Sequence, residues 1–147
     1  MKKLTFLLVL IFLFASLILN GYQYRVINSY KEKQHFNDVE LKATIGQLNY
    51  YLDKINFETL NEENTRDCLS MSKRIFTLVR NSTYSSDRDV VDCFNDLDNV
   101  FTGAPIDKIK SIGEQVRVLL KSTIDMKSNE INPEECKKLS EFIRSNM

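Results

Sequence analysis

The 147-residue chain has few of the residues that break helices or build metal centres. It contains no tryptophan, two prolines, four glycines, one histidine and three cysteines. Asparagine, lysine and glutamate are spread between regularly spaced leucine, isoleucine, valine and phenylalanine. This composition favours a helical globular domain over a disordered chain, and the length leaves room for one such domain after a targeting segment.

The chain also lacks an excess of charge, with 20 basic and 20 acidic residues. Lys2 and Lys3 precede an apolar run and every acidic residue follows it, so residues 22–147 have 18 basic and 20 acidic side chains. A mildly acidic body gives no electrostatic support for binding a polyanion. We therefore expect no nucleic-acid partner.

The apolar run is the strongest signal in the sequence. Residues 4–19 contain no charge, and Thr5 and Ser16 are their only polar side chains. As a helix the run would be roughly 24 Å long, shorter than a bilayer core of ~30 Å and longer than a typical signal-peptide core. Residues 1–21 are therefore predicted to target the chain to a membrane, either as a signal-anchor or as a signal peptide.

Retention of this segment is favoured over its removal. The best cleavage site places Leu19 and Gly21 before Tyr22, a poor match to the small residues that signal peptidase requires. Tyr22 and Tyr24 would lie at headgroup depth. The prediction is a single-pass protein with its amino terminus inside and its domain on the outer face, because a short basic tip before an apolar helix has the layout of a secretory signal. Secretion after cleavage is the alternative.

The rest of the chain is predicted to be all-α, because its apolar residues recur at helical spacing. Residues 22–40 read as a polar helical stalk, and residues 41–147 as an up-and-down bundle of four main helices plus a short C-terminal helix. One seam comprises Leu41, Ile45, Leu48, Leu52 and Ile55. The predicted helices run from near Tyr24 to Ile55, from Asn61 or Glu62, from a capping box at Ser86 to Gly103, from Pro105 to about Met126, and from Asn132.

The three cysteines fall on apolar helix faces. Cys68, Cys93 and Cys136 lack Cys-x-x-Cys spacing and a nearby histidine, so zinc and redox-motif sites are not expected. Three buried thiols without a bridge are the favoured prediction. A disulfide between Cys93 and Cys136 is the alternative, because an up-and-down bundle would bring those two to a similar height and would hold Cys68 away from Cys136.

No catalytic or cofactor site can be assembled from the remaining residues. His35 lies in the polar stalk and is expected to be solvated. The acidic residues 92–99 lack the glycine and the terminal glutamate of an EF-hand, so a solvated helix face is predicted in place of a calcium site. Tyr50 and Tyr51 are expected to belong to the core more readily than to a recognition surface. We predict that the protein is not an enzyme and binds no cofactor or metal.

These observations predict a membrane-anchored, extracytoplasmic helical domain that acts through protein–protein contacts, in a binding or structural role. Two alternatives remain open. The bundle could sense a small molecule and work with a signalling partner, since four-helix domains can hold ligands between their helices. The chain also resembles, in layout only, the phage or envelope-lysis components that carry an amino-terminal anchor followed by helices.

Overall fold

The computed structural model describes the backbone of residues 2–125 and 128–147, and over this range the side chains of residue 10 and of residue 12 onwards. Within it the chain is helical, and its only extended pairing is an isolated antiparallel bridge between Ile124 and Ile131. The predicted all-α class is confirmed. The helices are α1 (Lys2–Leu52), α2 (Glu62–Arg80), α3 (Arg88–Gly103), α4 (Ile106–Ser122) and α5 (Pro133–Asn146), with 3-10 helices at Phe57–Thr59 and Thr83–Ser86.

The chain divides into two units, residues 1–34 and residues 35–147. Residues 2–34 of the first unit are helical and belong to α1. The second unit contains the end of α1 together with α2 to α5. Among the described residues, no helix combines the length and the apolar character needed to cross a bilayer. The predicted apolar run at residues 4–19 lies partly outside them, because the side chains of residues 4–9 and 11 are not described.

The second unit is a helical bundle around α3. This helix packs against both α2 and α5, and α4 packs against α5 and the first 3-10 helix. The apolar side chain of Phe94 on α3 is completely buried. The predicted seam on α1 is also buried, and four of its members have no exposed surface: Leu41, Ile45, Leu48 and Leu52. The predicted bundle is therefore supported, whereas the up-and-down order of its helices stays a prediction.

Two helices begin where their capping residues predicted. The side chain of Asn61 accepts a hydrogen bond from the Asn64 backbone N–H at 3.0 Å, at the start of α2. The side chain of Asn132 accepts one from the Glu134 backbone N–H at 3.0 Å, and Pro133 occupies the first turn of α5. Each cap satisfies an amide that has no partner inside its own helix, which fixes the helix start.

The start of α3 was predicted one residue too early. Ser86 is the last residue of the 3-10 helix Thr83–Ser86, so it cannot serve as the cap. Asp87 does so, and its carboxylate accepts a hydrogen bond from the Val90 backbone N–H at 3.2 Å. An acidic cap adds a favourable charge at the positive end of the helix dipole.

The ends of α1 and α4 also differ from the prediction. The first helix begins at Lys2, includes the predicted start at Tyr24 without a break, and stops at Leu52 before Ile55. The fourth ends at Ser122, and the predicted end at Met126 lies outside the described residues. Beyond Ser122 the Thr123 hydroxyl donates to the Leu120 carbonyl at 2.7 Å, and the chain then enters the isolated bridge, so the helix cannot continue.

A close approach joins α4 to the 3-10 helix that follows α1. Gly113 is buried in the middle of α4, facing the buried ring of Phe57. A Cβ atom on Gly113 would lie 2.2 Å from Cδ1 of this ring. Glycine is therefore the residue that lets the ring lie directly on the α4 backbone.

Candidate functional surfaces

A polar cluster around the buried carboxylate of Asp96 joins α3 to α5. Oδ2 of Asp96 accepts hydrogen bonds from Ser140 Oγ at 2.5 Å and from Arg144 Nε at 2.7 Å. Arg144 also lies 3.1 Å from the carboxylate of Asp92. Asp96 is 8% exposed, which corrects the prediction that the whole acidic run is a solvated face. The arginine and the serine hydroxyl compensate the cost of burying this carboxylate, so the cluster fixes the position of α5 on α3.

The same interface contains two of the three cysteines. Cys93 and Cys136 have no exposed surface, and both are free thiols in the structure. A hydrogen bond with the Cys136 thiol and burial raise the pKa of Cys93 well above its usual value. Cys68 is 1% exposed, and burial raises its pKa to about 12. All three thiols are therefore buried as predicted, and the raised pKa values keep Cys68 and Cys93 protonated at neutral pH. The alternative disulfide stays a prediction.

A second polar cluster ties the segment before α5 to two other parts of the bundle. Glu130 accepts a hydrogen bond from Lys42 Nζ of α1 at 2.8 Å and another from the Tyr84 hydroxyl of the second 3-10 helix. These two hydrogen bonds lower the pKa of Glu130, so its carboxylate stays charged at neutral pH. The arrangement stabilises the connection between α4 and α5.

The contacts between α1 and the rest of the bundle begin before residue 41. Asn37 Nδ2 donates to the Asn81 carbonyl at 2.7 Å, and the carboxylate of Asp38 accepts from the Thr83 backbone N–H at 2.9 Å. Both residues belong to the range predicted as a stalk. The division into a targeting segment (1–21), a stalk (22–40) and a bundle (41–147) stays a prediction. The two contacts place residues 37 and 38 against the loop that follows α2.

One face of α1 within residues 35–52 carries exposed apolar residues. At 100° per residue, Phe36, Val39 and Tyr50 fall within about 60° of one another and opposite the buried seam. Their exposed fractions are 66%, 57% and 64%. Tyr50 is therefore outside the core, against the general expectation for aromatic residues in this helix. We call these three residues the outer α1 face.

The first unit exposes apolar side chains in all directions around its helix. Seven large apolar residues between positions 10 and 19 are 45–74% exposed: Leu10, Phe12, Leu13, Phe14, Leu17, Ile18 and Leu19. Their angular positions are spread around the whole helix, because consecutive positions such as 12 to 14 and 17 to 19 are all apolar. Tyr22 and Tyr24 follow, and each is 67% exposed.

The described part of the chain contains no candidate metal site. His35 is exposed, as predicted. No group of three or more histidine, cysteine or acidic side chains among the described residues could hold a metal ion. Three features stand out: the outer α1 face, the exposed apolar segment at residues 10–19, and the buried cysteines Cys93 and Cys136. The sequence identified the apolar segment and the cysteines, but it did not identify the outer α1 face. No protein-family model, curated protein or solved structure matches this chain.

Proposed function

We propose that the protein is a membrane-anchored helical domain that lies on the outer face of a membrane and acts through protein–protein contacts. The observation that carries the proposal is the complete ring of exposed apolar side chains around residues 10–19. A water-soluble helix exposes a polar face, whereas a helix that is apolar all round requires apolar surroundings on every side. A single partner helix would cover only one side of this apolar helix, whereas lipid would cover every side of it.

The flanking residues support the same proposal. Lys2 and Lys3 precede the apolar segment, and Tyr22, Tyr24 and Arg25 follow it. Aromatic residues are enriched at membrane interfaces, and a basic tip before an apolar helix is typical of a segment that exports the sequence after it. The anchor and the tyrosines would together reach the length that residues 4–19 alone lack.

The protein-contact part of the proposal rests on the outer α1 face. Phe36, Val39 and Tyr50 together expose two aromatic rings and a branched side chain on a helix whose opposite side is fixed by the bundle. Aromatic residues supply much of the binding energy at protein interfaces, and a rigid support reduces the entropy lost on binding.

The anchor is tested by placing charges in the apolar ring. We expect the double substitution Leu13→Arg with Leu17→Arg to release the full-length protein from membranes in an alkaline carbonate wash that leaves the wild type bound. Each arginine costs about 2.5–3.5 kcal/mol at the centre of a spanning helix. The matched control is Tyr50→Arg with Val118→Arg, which adds the same charge at exposed apolar positions of the bundle.

Release of the wild type by the same wash, or retention of the double variant, would contradict the anchor. Protection of the buried thiols from maleimide reports whether each variant keeps its bundle. Amino-terminal sequencing of the membrane-bound protein separates a retained anchor, which begins at or next to Met1, from a cleaved chain that begins near Tyr22. Protease added to the outer side of the membrane should digest the domain, and full protection would contradict the proposed sidedness.

The contact surface is tested by removing its rings. We expect Phe36→Ser with Tyr50→Ser to abolish the co-purification of a specific membrane partner with the full-length protein, because both rings are lost while the core is untouched. Val118→Ser is the control, since it removes an exposed apolar side chain of α4, outside the outer α1 face. An identical set of co-purifying proteins for both variants would rule out this face as the contact surface.

A further inference from the structure

The interface between α3 and α5 aligns two pairs of residues. Cys93 lies three residues before Asp96 on α3, and Cys136 lies four residues before Ser140 on α5. Asp96 and Ser140 are joined by a hydrogen bond of 2.5 Å. One turn earlier on both helices lie the two cysteines, and neither has exposed surface. The register of the helices is thus fixed by a polar pair directly beside the thiols.

We propose that Cys93 and Cys136 form a structural disulfide that links α3 to α5 in the mature protein, and that Cys68 remains a free thiol. This inference rests on the proposed location, because the outer side of a membrane supplies the oxidising conditions in which structural disulfides form. Cys68 lies on α2, whereas Cys93 and Cys136 are both buried one turn before the hydrogen-bonded pair that joins α3 to α5. The pairing is therefore set by the fold and not by chance encounter.

The oxidation requires a disulfide as co-reactant, either a small molecule such as oxidised glutathione or an oxidoreductase. The thiolate of one cysteine attacks this disulfide, its S–S bond breaks, and one thiol leaves. The second cysteine, after losing its proton, attacks the mixed disulfide and releases the second thiol. The cysteine pair loses two electrons and two protons, and the co-reactant gains them.

The burial of the pair determines when this reaction occurs. An external disulfide cannot reach sulfur atoms with no exposed surface, and the raised pKa of Cys93 leaves little of the reactive thiolate. Oxidation therefore takes place before α5 docks onto α3 or while it is transiently released. Once formed, the bond is shielded from reductants by the same packing.

The pairing is tested by refolding the full-length protein from denaturant into detergent that contains reduced and oxidised glutathione. Because all three cysteines are buried in the folded bundle, free thiols are then blocked with excess maleimide in denaturant, and the linked peptides are mapped. We expect the wild type to retain one reactive thiol, at Cys68, and to yield a linked peptide with Cys93 and Cys136. We also expect the melting temperature of the oxidised bundle to exceed that of the reduced bundle by roughly 10 °C, because the bridge closes a long loop.

Alanine variants of the three cysteines are the controls. Cys68→Ala should still form the bridge and keep the difference in melting temperature, whereas Cys93→Ala and Cys136→Ala should lose both. Three reactive thiols in the refolded wild type, or a bridge that includes Cys68, would overturn the proposal. The wild-type measurement decides the matter even where an alanine variant fails to fold.

A second arm separates this inference from the proposed location. Cells are quenched with acid, and the thiols of the full-length protein are blocked before any oxidation can occur. A bridge in these samples supports both the pairing and the outer-face location. A reduced pair in cells, together with a bridge after refolding in glutathione, supports the pairing and contradicts the location.

Discussion

Substitution of Phe94 by alanine is expected to lower the free energy of unfolding of the bundle by about 3–5 kcal/mol. Phe94 lies in the middle of α3, the helix that packs against both α2 and α5, and it has no exposed surface. Its removal leaves a cavity between these packed helices. The equilibrium constant for unfolding should increase by about two to four orders of magnitude.

The buried cysteines provide the measurement. In the reduced full-length protein, a short maleimide pulse at increasing urea concentrations labels only molecules whose bundle has opened, because Cys68, Cys93 and Cys136 are all buried. The signal comes from residues 35–147 and is not affected by helix retained in the first unit. The midpoint of labelling gives the change in stability.

Phe36→Ala is the matched control for this prediction. The substitution is chemically identical, but the Phe36 side chain is 66% exposed. Its effect should lie within about 0.5 kcal/mol of zero. Equal midpoint shifts for the two variants would contradict the placement of Phe94 at the centre of the core.

Substitution of Gly113 by alanine is expected to destabilise the bundle by about 1–3 kcal/mol, although alanine is the better helix former. The new Cβ would lie 2.2 Å from Cδ1 of Phe57, so the ring or α4 has to move. Gly46→Ala is the control, since Gly46 is also inside a helix but has open space at the Cβ position. That variant should gain about 0.5–1 kcal/mol, so the two substitutions should shift the labelling midpoint in opposite directions.

A double-mutant cycle identifies the cause of the Gly113 effect. In a Phe57→Ala background the ring is absent, so Gly113→Ala should cost little or become stabilising. Phe57→Ala alone should destabilise, because its side chain is 4% exposed in the wild type. If Gly113→Ala costs the same in both backgrounds, the clash with this ring is not the reason.

The sequence predicted the helices well where a local signal marks them. Asn61 and Asn132 satisfy backbone amides within three residues of themselves, so their effect is visible in a short stretch of sequence. Helix ends were less predictable. The end of α4 depends on the pairing of Ile124 with Ile131, residues that lie on both sides of a turn, and an apolar pattern does not reveal such a pairing.

Long-range contacts set the limit of the sequence-based predictions. Asp96 looks like its acidic neighbours in the sequence, yet it is buried because Ser140 and Arg144 of α5 reach it. Nothing near Gly113 in the sequence marks its contact with Phe57. The cysteines were easier to place from the sequence. The predicted helix lengths and an assumed up-and-down bundle already put Cys93 and Cys136 at a similar position along the bundle axis.

The distribution of burial along the chain has a consequence for protein processing. Every residue of the buried apolar core that the structure describes lies between Leu41 and Ile143, and the hydrogen bonds of Asn37 and Asp38 mark where α1 first joins the bundle. A protease that cuts anywhere before residue 35 would thus remove no core side chain. Such a cut would preserve the fold of the bundle, so the bundle could function with or without the segment that precedes it.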